Sequence, residues 1–429
     1  MKDLLMLTIV ALSISCNTTI PTKTNTPLNS YTLVVEGFDW GPGASKVILP
    51  LEQKISKAKA ENYTLEVNKK ASCGELKMDA TSGERTVIQA YVSDHKGNKM
   101  TQGSYITLDL EVSPDLNISS PMQYVPQCSR NVWADYSMTI TNLSTNKIWD
   151  TEVDRIHPLI DKFNLSGKFV NSDITLTYAD FIPNTKQDKS PLIIWLHGGG
   201  EGGTDTTIPL LANRAANYAS SEIQAFFGGA YVLVPQSPTF WMDKGTGEYT
   251  RGDVNDMYNT SLMALIKDYI TKHPNIDTNR IYVGGCSNGG YMSVKLMLEH
   301  PDFFAASFPS ALAYHAAHIT DEQIESIKHM PIWFIHSNDD SVTKAEETVV
   351  PLYKRLIAAG AENVHYSAYD HVIDITGLYG GEDYKYMGHF SWIYSHSNHC
   401  TRDYDGNPVL LNGKAVSLME WLSRQTKSN

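Results

Sequence analysis

The stretch Arg280-Ile281-Tyr282-Val283-Gly284-Gly285-Cys286-Ser287-Asn288-Gly289-Gly290-Tyr291-Met292 constrains the fold more than any other in this chain. Ile281 to Val283 is a short run of β-branched and aromatic residues, which suits a strand. The run from Tyr291 to His300 is amphipathic and suits a helix. Between them lies one serine flanked by glycines. Gly285-Cys286-Ser287-Asn288-Gly289 fits the G-x-S-x-G nucleophile elbow, a sharp strand-to-helix turn that lifts the serine above a sheet. Side chains at the flanking positions would collide with neighbouring elements, so glycine is required there. The helix N-terminus behind the serine favours negative charge developing beside it. A bare pattern of this kind also occurs by chance in glycine-rich loops, so its weight rests on its surroundings.

Those surroundings have a strand-helix rhythm. Thr175 to Pro183 reads as a strand. Pro191 to His197, Ala230 to Pro235 and Pro331 to His336 are nearly continuous apolar runs, as expected of strands buried on both faces. Helical runs lie between and after them, over Asp256 to Thr271, Tyr291 to Glu299 and Ala345 to Ala359. This alternation predicts an α/β fold with a mainly parallel sheet covered by helices, over residues 166–429. Residues 31–165 differ. Short alternating runs such as Tyr63 to Val67, Tyr105 to Val112 and Tyr136 to Ile140 are separated by turn signals, which predicts an all-β sandwich. That domain has no cluster of histidines and carboxylates. Its expected role is a spacer, a packing partner or a wall of the cleft.

The chain has 429 residues, 42% hydrophobic and 19% charged, enough for two globular domains. A formal net charge of -12 without a basic patch speaks against a nucleic-acid partner. Residues 1–16 combine one lysine with a short apolar run, like a secretory signal. Ser15-Cys16 resembles a bacterial lipoprotein cleavage site, at which Cys16 would be lipidated. The polar residues 17–30 suit a tether. The expectation is export, to the periplasm, the outer membrane or the medium, with a lipid anchor as the membrane attachment. Cys73, Cys128, Cys286 and Cys400 remain for disulfides in such a compartment.

Acyl transfer needs a nucleophile, a base, an acid that holds the base, and donors for an oxyanion. Ser287 is the candidate nucleophile. Asp339 and Asp340 follow the apolar run ending at His336, and either could be the acid; loop spacing favours Asp340. For the base, His389 in Gly388-His389-Phe390-Ser391-Trp392 competes with His399. Loop placement and the chain order Ser, acid, His favour His389. The loop His197-Gly198-Gly199-Gly200-Glu201-Gly202-Gly203 follows a buried run, and its glycines allow close backbone approach to an oxygen. The N–H groups of Gly199 and Asn288 are the expected oxyanion donors. Trp241 and Trp392 are candidate aromatic walls for substrate, with core packing as the competing role of each. There is no Gly-Lys-Ser/Thr ending for phosphate, no H-E-x-x-H and no paired C-x-x-C, so neither cofactor nor metal is expected.

Taken together, these residues resemble the α/β-hydrolase superfamily, and more closely the exported bacterial esterases of the EstA type with an Ig-like N-terminal domain. The similarity runs over nearly the whole mature chain. Gly37 to Gly43 resembles the opening of the Ig-like domain. His197 to Asp205 resembles the oxyanion loop, Cys286 to Met292 the elbow, His336 to Val342 the acid loop with Asp340 at the matching position, and His389 to Ile393 the histidine loop. The resemblance implies a serine carboxylesterase, with prolyl-oligopeptidase-like and polyhydroxybutyrate-depolymerase-like relatives. Tannases and fungal feruloyl esterases place cysteines beside the serine and the histidine. By that likeness a Cys286–Cys400 bridge is expected to pin the histidine loop to the elbow. The segment from Cys400 to Lys414 departs from the family pattern and is expected to reshape the pocket. A serine peptidase and a non-catalytic glycan-binding protein on a hydrolase scaffold are the competing functions.

Overall fold

The computed structural model describes residues 27–76 and 80–427. The expected signal segment, Cys16 and most of the tether lie outside them. The N-terminal part packs two five-stranded sheets face to face. One has the order Thr151–Ile156, Ser30–Phe38, Gly41–Ile55, Gly103–Leu110, Val87–Ser93. The other centres on Tyr63–Ala71 and Arg130–Asn142. Alternation dictates the packing: Tyr63, Leu65 and Val67 point inward while Thr64, Glu66 and Asn68 point out. With Leu33, Leu108, Ile140 and Trp149 they form this domain's core. Cys73 and Cys128 are disulfide-bonded within it.

The rest is built on an eight-stranded sheet. Its strands are β1 (Asn164–Asn171), β2 (Ile174–Phe181), β3 (Ser190–Leu196), β4 (Tyr231–Gln236), β5 (Ile276–Cys286), β6 (Ala306–Ser310), β7 (Ile332–Ser337) and β8 (Val364–Tyr369). They lie in the order β1-β2-β4-β3-β5-β6-β7-β8. Only β2 runs antiparallel to its neighbours; β4 to β8 and β3 are mutually parallel. Successive side chains go to opposite faces. Leu192, Ile194 and Leu196 of β3 join one core, and Ile193 and Trp195 join the other. Phe334 and Trp333 of β7 divide in the same way. Each such apolar side chain contributes about 1.5–3 kcal/mol by leaving water, which is why these runs take interior rather than edge positions in the sheet. Helices α1 (Asn259–Lys272), α2 (Asn288–Glu299) and α3 (Val349–Ala358) cover the first face.

The segment from Cys400 to Lys414 corrects one expectation. None of its residues lines the main cavity. It covers the sheet edge instead: Asp403 accepts the Tyr366 N–H of β8 at 3.0 Å and pairs with His365 at 2.6 Å, and Tyr404 stacks on Tyr366. An exposed edge strand has unpaired backbone groups, and this tail satisfies one of them. Among the described residues no helix is long and apolar enough to cross a membrane.

Candidate active site

Ser287 sits between β5 and α2 with φ at +54°, a region that L-residues seldom occupy. Its N–H donates to the Ser310 carbonyl at 3.0 Å. Close packing explains the two glycines of the motif. A Cβ on Gly289 would lie 1.9 Å from the Leu196 carbonyl oxygen, and one on Gly285 would lie 2.5 Å from the Gly289 backbone. The turn can hold its serine in this conformation only because β3 and α2 close on it from both sides. Ser287 lines a cavity of about 730 Å³.

His389 lines the same cavity. It lies on the single turn Gly388–Phe390, and its Nδ1 is 2.8 Å from Asp340 Oδ2. A carboxylate only accepts, so Nδ1 carries the proton and Nε2 keeps its lone pair. Asp340 is buried and heavily bonded. Its Oδ1 accepts the N–H groups of Val342 and Thr343 at 2.8 and 2.9 Å, and its Oδ2 accepts the Thr343 hydroxyl at 2.7 Å. The Nε2 of His336 is also 3.2 Å from Oδ2. Burial pushes the Asp340 pKa up, but bonds from His336, His389 and the Thr343 backbone outweigh it and hold the carboxyl far below the usual range. Asp339 instead faces His371, with Oδ2 2.8 Å from Nδ1, and accepts the Ser337 hydroxyl. Adjacent residues on this turn point to opposite sides, which separates the two candidates. His399 is exposed on the surface and its N–H bonds to the Tyr394 carbonyl.

Gly199 begins a short turn, Gly199–Glu201, and lines the cavity together with Ser287 and Asn288. Asn288 opens α2, so its N–H has no acceptor within the helix. Its side-chain Oδ1 takes the Met242 N–H at 2.9 Å. His197 sets the loop's entry. Its Nε2 accepts the Ser237 N–H at 3.1 Å, so Nδ1 is the protonated nitrogen and donates to the Gly198 carbonyl at 2.6 Å. Complete burial lowers the His197 pKa to about 4 and keeps it neutral. Glu201 is buried beside the loop. Burial raises its pKa to about 7, and Asn131 and the Gly198 backbone partly oppose that rise.

Two expectations fail. Trp241 does not line the cavity. It is fully buried beneath it, against His197 and Tyr258, because its indole fills core space between the loop and α1. Trp392 does line the cavity and packs edge-on against His389. The Cys286–Cys400 bridge is not formed: both thiols are free and buried. Cys286 Sγ faces Asn213, and Cys400 bonds to Tyr369, so the two sulfurs serve different neighbours. Burial pushes both pKa values up, that of Cys400 to about 12.

Residue patterns alone did not reveal several groups. His336 lies four positions before Asp340, and that spacing was its only signal. Trp40, Leu116, Tyr124 and Asn131 of the N-terminal domain line the cavity, which makes that domain a wall of the cleft. Tyr124 and Asn131 lie on strands and Leu116 in a loop, and none of the three belongs to a motif.

Fold and site together define an α/β-hydrolase domain with an Ig-like domain in front of it. Residues 30–153 match the family model described as the esterase Ig-like N-terminal domain, and residues 239–330 match the prolyl oligopeptidase family. A solved structure described as a thermostable esterase superposes over 93% of this chain and 100% of its own, with a TM-score of 0.73 and 24% identity. Carboxylesterase 1F of Mus musculus is 24% identical over 189 residues, 44% of this chain. That match spans only 29% of the mouse protein.

Proposed function

We propose that the protein is a serine carboxylic-ester hydrolase working through an acyl-enzyme. One observation carries this reading: the Asp340-bound His389 and the strained Ser287 line one cavity. In the proposed reaction Ser287 Oγ attacks the ester carbonyl carbon while His389 Nε2 takes its proton. Asp340 stabilises the resulting imidazolium. The N–H groups of Gly199 and Asn288 hold the oxyanion. Collapse expels the alcohol, which takes the proton from His389, and water then releases the acid by the reverse sequence.

For the substrate we propose feruloyl or acetyl esters of plant polysaccharides, met by an exported, lipid-anchored enzyme. The aromatic lining from Trp40, Tyr124, Tyr249, Phe390 and Trp392 supports an aryl acyl group. The prolyl oligopeptidase match favours a second reading, a serine peptidase. The described residues hold sandwich sheets and no β-propeller gate, which weighs against it. Non-catalytic glycan binding leaves the histidine–carboxylate pair without a purpose.

Purified protein and a Ser287→Ala variant would be offered p-nitrophenyl acetate, methyl ferulate and peptide anilides. The expected result is ester turnover that the variant loses. Anilide turnover alone would favour the peptidase, and glycan retention without any turnover would favour the binding protein.

A further inference from the structure

The oxyanion loop is rich in glycine, and glycines lose the most conformational freedom when fixed. Something must therefore hold Gly199 in register with Ser287. From the catalytic domain, His197 fixes the Gly198 carbonyl and the Gln236 amide donates to the Glu201 carbonyl at 2.9 Å. On the other side the support comes from the N-terminal domain. Asn131 Nδ2 donates to Glu201 Oε1 at 2.7 Å and approaches the Gly200 carbonyl at 3.3 Å. The other carboxyl oxygen of Glu201 reaches back along the loop; a Cβ on Gly198 would sit 2.8 Å from it. The Glu201 side chain thus links Asn131 to Gly198, the residue before Gly199.

Asn131 is itself held firmly. It lies on the strand Arg130–Asn142, opposite Tyr124. The same strand is anchored to the catalytic domain two residues on, where Trp133 Nε1 donates to Thr207 Oγ1 at 2.9 Å. Asp39 pairs with Arg214 across the same junction.

We propose that Asn131 is a positioning residue for catalysis: through Glu201 it sets the oxyanion loop, and so the Ig-like domain takes part in transition-state stabilisation. This rests on the ester-hydrolase reading. Because the loop contacts an oxygen that becomes fully anionic only in the transition state, its misplacement lowers kcat and leaves KM nearly unchanged.

The test compares the full chain with Asn131→Ala and with Asp115→Asn. Asp115 accepts the Tyr384 hydroxyl at 2.9 Å, an exposed cross-domain bond that involves no residue of the loop, and Asp115 does not line the cavity. The readouts are the rate of Ser287 labelling by a fluorophosphonate, kcat and KM on p-nitrophenyl acetate, and the thermal midpoint. Asn131→Ala is expected to slow labelling and kcat by about 10- to 100-fold with KM within about twofold, at a melting temperature that is lowered but stays well above the assay temperature. Asp115→Asn is expected to match wild type. Wild-type labelling by Asn131→Ala would overturn the proposal, as would a loss that merely follows unfolding or an equal loss in Asp115→Asn. Failure of the wild type to label at all would instead remove the hydrolase reading beneath it.

Discussion

Asp340 Oδ2 faces two imidazoles: His389 Nδ1 bonds to it at 2.8 Å, while His336 Nε2, which is 2.7 Å from the Thr343 carbonyl, lies 3.2 Å away. The Leu312 N–H donates to His336 Nδ1 at 3.2 Å, which fixes His336 as the Nε2–H tautomer. His336 thereby holds the Thr343 turn, whose N–H and hydroxyl orient Asp340 toward His389. Asp340→Asn keeps the shape but allows the amide to present a donor to Nδ1. A fall in kcat of about a thousandfold or more is expected, measured on p-nitrophenyl acetate beside a circular-dichroism check of the fold.

The same carboxylate predicts how stability responds to acid. Its folded pKa is depressed, so its contribution is fully present above the unfolded value of about 3.9 and fades as pH falls toward the folded value. The melting-temperature gap between wild type and Asp340→Asn should stay constant from pH 7 to pH 5. It should narrow only below about pH 4. A gap that already closes at pH 6 would contradict this assignment.

Ser287 holds its positive φ at the expense of stability. Glycine adopts that conformation freely. Ser287→Gly is expected to raise stability by about 1 kcal/mol while abolishing turnover, as read from urea unfolding and an ester assay. Gly289→Ala at the same turn should do the reverse to the fold, since its methyl would strike the Leu196 carbonyl.

The two tryptophans should respond differently to truncation. Trp241→Ala empties a fully buried site and is expected to cost about 3–5 kcal/mol of stability. Trp392→Ala opens the cavity wall beside His389 and should raise KM for aryl esters more than for acetate. Denaturant midpoints and Michaelis parameters for both variants distinguish these outcomes.

Cysteine accessibility follows from the pairing. After unfolding without reductant, Cys286 and Cys400 should alkylate, while Cys73 and Cys128 should do so only after reduction. Replacing both Cys73 and Cys128 with serine is expected to cost about 2–4 kcal/mol by freeing the unfolded chain, read by urea unfolding.

The sequence by itself determined what depends on short-range pattern. The runs over β3, β4 and β7 announce buried strands because both faces must be apolar, and the elbow's glycines announce a close approach. Ser287, His389 and the adjacent pair Asp339 and Asp340 were legible because each follows a strand or turn with its own signature. Tertiary structure alone decided the rest. Strand β6, Ala306–Ser310, is rich in small residues and contains a proline, and it is a strand only because β5 and β7 pair with it on either side. Asp340 rather than Asp339 meets the histidine because a loop's side-chain directions depend on what the loop packs against. Cys286 and Cys400 stay apart, and Asn131 reaches Glu201 from 70 positions away, for the same reason. The Asn131 contact is fixed when the two domains dock, and no local pattern encodes the angle at which they meet.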